Sequence, residues 1–351
     1  MAFDGDKLAA LREKFGGANE MKIYDPHFNA VAANVIDKNG TRYAPFAGVS
    51  TFLDVPLRNV NWEQPELDGL DGLDVAILGV PMDLGVSNRN GARFGPRSIR
   101  TIERIGPYNH VLKSVPTREI AVADIGDVPF RSRFDLLQCH RDIEKTIRSI
   151  VAAGVIPLSV GGDHSVTLPI LRALGERQPV GLVHIDAHCD TGGPFDDCKF
   201  HHGGPFRHAV LEGVLDPTRT IQIGIRGAAE YHWEFSYESG MTVVHAEDIH
   251  NLGIEGIVAK ARKVIGDGPV YISYDIDSLD PAFAPGTGTP EVGGLTVREA
   301  QAILRGLAGL NVVGGDVVEV APQYDATTNT AHAGAQILFE ILSLICASRR
   351  A

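Results

Sequence analysis

Gly181-Leu182-Val183-His184-Ile185 runs directly into Asp186-Ala187-His188-Cys189-Asp190. A short, largely apolar run that turns polar at its carboxyl end reads as a buried strand of a parallel sheet whose following loop carries chemistry. The pattern recurs twice. Residues 155–160 lead into Gly161-Gly162-Asp163-His164, and residues 270–274 lead into Asp275-Ile276-Asp277. If extended geometry continues through the motifs, side chains alternate faces, so Asp186, His188 and Asp190 point one way and Asp275 and Asp277 lie side by side.

The three clusters offer two imidazoles, His164 and His188, and four carboxylates, Asp186, Asp190, Asp275 and Asp277. Burying four carboxylates without cations is costly, so their convergence points to two divalent metals. Carboxylate and imidazole donors with no thiolate in phase favour Mn²⁺, with Ni²⁺, Co²⁺ or Fe²⁺ as alternatives, and argue against a closed structural zinc site.

Working outward, the same alternation of short β-type runs and amphipathic stretches continues from about residue 73, the mark of βαβ units. Strands are expected at 74–80, 120–125, 155–160, 181–185, 220–225, 242–245, 270–274 and 312–320, and helices at 134–152, 168–174, 254–265, 297–307 and 331–348. Thr296-Val297-Arg298-Glu299 reads as a capping box. An open α/β sheet gathers ligands beyond the carboxyl ends of its strands. A (β/α)₈ barrel would do so too, but the first seventy residues hold no barrel repeat, which ranks it second. Residues 1–72, rich in Asn, Gly and Pro, are expected to form an N-terminal arm that packs on a neighbouring subunit. Within it 6–14 looks helical and 46–53 is a short apolar segment. Residues 73–351 form the catalytic domain.

The composition narrows the class. With 351 residues and 44% apolar content the chain can bury a large core, and its net charge of −12 excludes a nucleic-acid backbone as partner. No run of 18 apolar residues and no signal-peptide pattern appear, so the expectation is a cytoplasmic protein with no membrane partner. Four cysteines without C-x-x-C spacing fit a reducing compartment.

Together the motifs Gly-Gly-Asp-His-Ser at 161–165, His-Ile-Asp-Ala-His-Cys-Asp at 184–190 and Ser-Tyr-Asp-Ile-Asp-Ser-Leu-Asp-Pro-Ala-Phe-Ala-Pro-Gly-Thr-Gly-Thr-Pro-Glu at 273–291 resemble the ureohydrolases, the arginase/agmatinase family. Gly91-Ala92-Arg93-Phe94-Gly95-Pro96, Ile125-Gly126-Asp127 and Gly315-Asp316-Val317-Val318-Glu319 extend the resemblance, which is strongest to the branch with agmatinases, guanidinobutyrases and guanidinopropionases. It implies an α/β fold, a three-layer α/β/α sandwich around an eight-stranded mostly parallel sheet. It also implies a homo-oligomer, trimer or hexamer, with a hetero-oligomer containing a paralogue as an alternative. One metal would be held by His164, Asp186, Asp190 and Asp275, the other by Asp186, His188, Asp275 and Asp277.

The resemblance also implies a reaction. Water activated between two metals attacks a guanidinium carbon, and urea and an amine leave. Asp190 would accept the proton, Glu291 would hold the guanidinium nitrogens, and His202 would carry a proton to the leaving amine. His201 and Gly204 depart from the family, which has a small hydroxyl residue and Thr there, and Cys189 departs as an expected packing residue. The loop 191–200 should line the mouth, where Asp196 and Asp197 with His201 are candidate substrate contacts, while Lys199, Arg207 and Arg226 could meet a carboxylate. Phe195 and Phe200 make that mouth apolar, which suits a short-chain guanidino compound over arginine. Free guanidine or a biguanide such as metformin, with nickel, is the rival within the class. A non-catalytic partner subunit is the rival outside it.

Overall fold

The computed structural model describes residues 4–17, 22–35, 47–62, 69–102, 106–227 and 229–350. The chain divides into two compact units, Met1–Arg42 and Tyr43–Ala351. In the first, Asp4 caps the helix Gly5–Phe15, which contains the expected 6–14 segment and buries none of its residues. A second helix covers Pro26–Val35. Positions 18–21, 36–46 and 63–68 of the expected arm, Phe46 included, lie outside the described residues.

The larger unit is built on eight strands: β1 (Val75–Val80), β2 (Val122–Asp127), β3 (Ile156–Gly161), β4 (Val180–Ile185), β5 (Leu215–Ile225), β6 (Thr242–His245), β7 (Val270–Asp275) and β8 (Val312–Val318). They pair in the order β2-β1-β3-β8-β7-β4-β5-β6, and every pairing is parallel. The sheet is open, with β2 and β6 at its edges, so the barrel is ruled out. Along β1, Val75 and Ile77 belong to one apolar core while Ala76, Leu78 and Val80 belong to another, which shows that both faces are covered. This is a three-layer α/β/α sandwich.

All eight expected strands are present within a few residues, and the capping box at Thr296 and Glu299 forms as read. Four short helices, Gly95–Arg100, Pro116–Glu119, Pro205–Leu211 and Glu234–Ser239, went unread because they are too brief to display a helical period. The helix expected at 254–265 starts earlier, at Ala246. Gly253, at φ +62°, kinks it there and breaks the apolar spacing. The last helix, Asn329–Arg350, is long and apolar enough to cross a membrane by length and composition, but 83% of its apolar window is buried inside the protein, where it packs on β8 and on the helix Val297–Gly306.

Residues 51–58, which the sequence reading assigned to the arm, are part of this larger unit. Asp124 N on edge strand β2 donates to Pro56 O at 3.0 Å, and Arg58 N donates to Asp124 O at 2.8 Å, so the segment runs beside β2. The fully buried Asp124 carboxylate accepts from Phe52 N at 3.0 Å and from Arg100 Nε and Nη2 at 2.8 and 3.0 Å. The Arg100 guanidinium in turn lies 4.0 Å from the centre of the buried Phe52 ring. Asp124→Ala would strand a mostly buried cation and the Phe52 N–H together. We expect it to lower unfolding free energy by about 3 kcal/mol, read by urea denaturation, with an unchanged midpoint counting against this account.

Candidate active site

From β4 the chain steps outward to β5 and β6, whereas from the neighbouring β7 it steps the opposite way to β8. Loops leaving β4 and β7 therefore diverge above the centre of the sheet, and a crevice opens there. The three sequence clusters all sit at this crevice, but strand alternation is not what groups them. Pairing of β4 ends at Ile185, residues 186–188 bend, and Asp190 takes a left-handed φ of +50°. What shapes each motif is an aspartate accepting the backbone N–H two residues on. Asp163 Oδ1 accepts from Ser165 N at 2.9 Å, Asp186 Oδ1 from His188 N at 2.7 Å, and Asp275 Oδ1 from Asp277 N at 2.8 Å. These tight turns fold each motif back over its own strand end.

The result gathers all six donors. His164 Nδ1 lies 3.1 Å from Asp186 Oδ2, 2.9 Å from Asp190 Oδ2 and 3.2 Å from Asp275 Oδ2. His188 Nδ1 lies 3.2 Å from Asp277 Oδ2 and 3.5 Å from Asp186 Oδ1. The tautomer of His164 follows from its neighbours. Ser273 Oγ donates its one proton to Asp316 Oδ1 at 2.7 Å, so it accepts from His164 Nε2–H at 2.8 Å. Nδ1 is then a bare lone pair facing three carboxylates, and it has no hydrogen-bond partner among the described residues. Such a face fits a cation. Burial opposes charge on His164, yet Asp186, Asp190 and Asp275 lift its pKa well above the ordinary range. Asp275 is raised well above the carboxylate range by burial and by the Asp277 and Asp186 charges. Both shifts describe a cluster with one sign of charge in excess.

His184, which the sequence reading quoted without a role, supports this cluster. Its Nε2 donates to Asp186 Oδ2 at 2.7 Å, while its Nδ1 accepts from Gln222 Nε2 at 3.0 Å. It stands two residues before Asp186 in the final turn of β4, so the period-two rule could have found it.

Glu319 was also missed as a site residue. It is buried at φ +64°, and its Oε1 accepts from His164 N and from His202 Nδ1, both at 2.9 Å. Its Oε2 is shut off from solvent with no partner among the described residues. The expected strand ran to 320 and absorbed it, whereas β8 ends at Val318 and leaves Glu319 as the first loop residue. His202, buried, accepts from Ser87 N at 3.2 Å at Nε2, which also lies 2.7 Å from Ser87 Oγ. Burial lowers its pKa, but Glu319 more than offsets this and raises it to about 9. Glu291 sits farther out, 3.9 Å from His188 Nε2 with 37% of its side chain exposed.

A cavity of about 350 Å³ opens over the cluster, walled by Phe195, His201, Tyr231, His232 and Trp233. Asp196 and Asp197 do not line it. Both are exposed in a tight turn closed by Phe195 and Cys198, at φ +47° and +58°. Cys189 does line it, and burial pushes its thiol up to about 12, which leaves it a neutral wall residue. His201 Nε2 donates to Gly193 O at 2.8 Å and its Nδ1 accepts from Gly203 N at 3.2 Å, so both ring nitrogens brace the loop. A side chain at Gly204 would begin 3.4 Å from that ring and 3.0 Å from Gly192 O. The tighter of these contacts is the backbone one, so the Gly192 carbonyl is what a side chain at 204 would crowd, with the His201 ring in ordinary contact behind it.

Comparison with known proteins agrees with this geometry. Residues 73–343 match the model of the arginase family. A guanidinopropionase of Pseudomonas aeruginosa is 48% identical over 307 residues, 86% of this chain and 93% of that protein. A mitochondrial agmatinase of Gallus gallus is 47% identical over 302 residues, covering 85% and 86%. Among solved structures, proclavaminate amidino hydrolase from Streptomyces clavuligerus superposes with a TM-score of 0.80 at 36% identity, covering 87% of this chain and all of that one. With the matching sheet, crevice and His/Asp cluster, the chain belongs to the arginase family of metal-dependent amidinohydrolases.

Proposed function

We propose that this protein hydrolyses a C–N bond of a small guanidino compound to urea and an amine, using two divalent cations. The observation that carries this reading is His164 Nδ1, a buried lone pair directed at three carboxylates with no proton donor among them. His164, Asp186, Asp190 and Asp275 would hold one cation, and Asp186, His188, Asp275 and Asp277 the other. Oxygen and imidazole donors favour Mn²⁺, with Ni²⁺ as the alternative. When bound, the pair makes water acidic enough to serve as a nucleophile near neutral pH.

The protein's own groups supply binding and proton transfer. Glu319, rather than the outlying Glu291, is the acceptor for guanidinium N–H groups, because Oε2 is buried and free to accept. Asp190, on the cavity wall, takes the proton released by the attacking water. His202 lines the cavity and is oriented by its Nδ1–H bond to Glu319; once protonated at Nε2, which lies 2.7 Å from Ser87 Oγ, it would pass that proton to the leaving amine. A non-catalytic subunit has no reason to keep all of these groups in one crevice.

The tail of the substrate meets aromatic rings. Arg226 lines the cavity, but its guanidinium is spent on backbone carbonyls, and no other Arg or Lys is on the cavity wall. This supports a short tail that is neutral, N-alkylated or aliphatic, and keeps a biguanide as the second reading beside agmatine and the guanidino acids. It gives no α-amino and α-carboxylate clamp of the kind arginine needs.

Three outcomes are expected. Stripping the metal with a chelator should abolish urea release, Mn²⁺ or Ni²⁺ should restore it, and Asp275→Asn should reduce kcat by more than about 10²-fold; full turnover by the stripped protein would sink the two-cation reading. A raised His202 stays protonated below its pKa and loses the proton as pH rises through it, so kcat should hold through neutrality and fall above about pH 9. Glu319→Gln should move that falling limb toward the ordinary histidine value and raise KM, while Glu291→Gln should change kcat/KM by less than about tenfold. Finally, kcat/KM compared across arginine, agmatine, 4-guanidinobutyrate, 3-guanidinopropionate, guanidine and an N,N-dimethylbiguanide should place arginine last, and arginine in first place would show that the cavity has been misread.

A further inference from the structure

Arg226 follows directly after β5 and is buried, yet among the described residues no carboxylate pairs with its guanidinium. Instead the side chain donates to six backbone carbonyls: Nε to Val292 O at 3.1 Å, Nη1 to Gly224 O at 3.1 Å and Ser278 O at 3.2 Å, and Nη2 to Asp277 O at 2.8 Å, Glu291 O at 2.7 Å and Leu279 O at 3.4 Å. Its own backbone N–H donates to Ala187 O at 2.9 Å. One residue therefore ties together the loop carrying His188, the turn carrying Asp277 and the segment at 291–292.

The surroundings are cut to fit this clasp. A side chain at Gly294 would begin 2.5 Å from both Arg226 Nη2 and Asp280 N, so only glycine fits between the guanidinium and the backbone at 279–280. Thr289, just before the clasped segment, donates to Asp277 Oδ2 at 3.2 Å, so the held loop also steadies a carboxylate oxygen of the cluster. A planar fork with five N–H donors can span several diverging carbonyls, which the single ammonium of lysine cannot. By contrast, the turn at Asp190 and the His164 loop receive none of these bonds.

We propose that Arg226 is the positioning residue of one half of the metal centre, the half built from His188 and Asp277, and that it leaves the half built from His164 and Asp190 largely untouched. The inference rests on the two-cation reading above. Residues that orient ligands from behind typically change metal affinity by about 10–100-fold when removed. A residue that merely held the fold together would weaken both halves alike.

The test is metal binding rather than turnover alone. Wild type, Arg226→Met, Arg226→Lys and Gly294→Ala are stripped, titrated with Mn²⁺ by calorimetry, and assayed for bound metal by elemental analysis, with melting temperatures recorded. Wild type should bind two ions. Arg226→Met should keep one site within about twofold and weaken the other at least about tenfold, with lost kcat recovered at high Mn²⁺. Arg226→Lys should fall between and carries the test if Arg226→Met does not fold, and Gly294→Ala, which crowds Nη2 and the Asp280 backbone alike, should show the same selective loss. Two sites of unchanged affinity, or equal weakening of both, would overturn the proposal. A wild-type protein that binds fewer than two ions would instead overturn the functional reading on which it stands.

Discussion

Four carboxylates and two imidazoles stand at one end of an apolar sheet, and most of the local structure answers the electrostatic problem this creates. Burial and mutual repulsion push Asp275 well above its usual range and burial raises Asp277, whereas, against burial, His184 and the other imidazoles hold Asp186 well below it. The same excess of negative charge lifts the pKa of His164 well above its ordinary range. Divalent cations would answer both at once, by taking the lone pair of Nδ1 and neutralising the oxygens around it. The scaffold is prepared for them. The Asp316–Ser273 relay keeps the proton of His164 on Nε2, and His184 with Gln222 aims one oxygen of Asp186.

The reacting end and the tail end of the crevice are built on different principles. At the reacting end every group is pinned from several directions, and Glu319 serves two partners through one oxygen while keeping the other unpaired. A buried acceptor left unpaired is expensive, which makes it a plausible place for a ligand to recover the energy. The tail end is walled by Phe195 on the glycine-rich loop after β4 and by Tyr231, His232 and Trp233 in the segment after β5, with His201 bracing Gly193 and Gly203. Rigid donors define what reacts, while a loop with little backbone constraint of its own defines what fits. Such a division lets the relatives differ in the substrates they are named for while sharing the sheet.

Much of this was legible without coordinates. All eight strands and all six candidate metal donors could be read from apolar runs that end in charged motifs, because a strand buried on both faces has to be apolar and chemistry has to sit at its carboxyl end. The family resemblance rested on the same motifs. What the periodicities could not convey were the departures from regular structure. The motifs are turns held by Asp163, Asp186 and Asp275, and not continuations of their strands. Glu319 looked like the tail of a strand because its neighbours are apolar, and residues 51–58 looked like an arm because a segment pairing with a sheet edge needs no helical or alternating signature of its own.

The sequence by itself determined the fold class, a set of six candidate metal donors and the kind of reaction, since these follow from local patterns of burial and from residue types that few other chemistries would collect. Only the tertiary structure decided that Glu319 lies buried between His164 and His202 with one oxygen unpaired, that Asp196 and Asp197 stay outside the cavity, and that Arg226 is bound to carbonyls and unavailable to a substrate. Each of those depends on groups far apart in the chain, as when Arg226 meets Asp277 and Glu291, or His202 meets Glu319. No local period records a contact of that range. The crossing of loops above the sheet creates it.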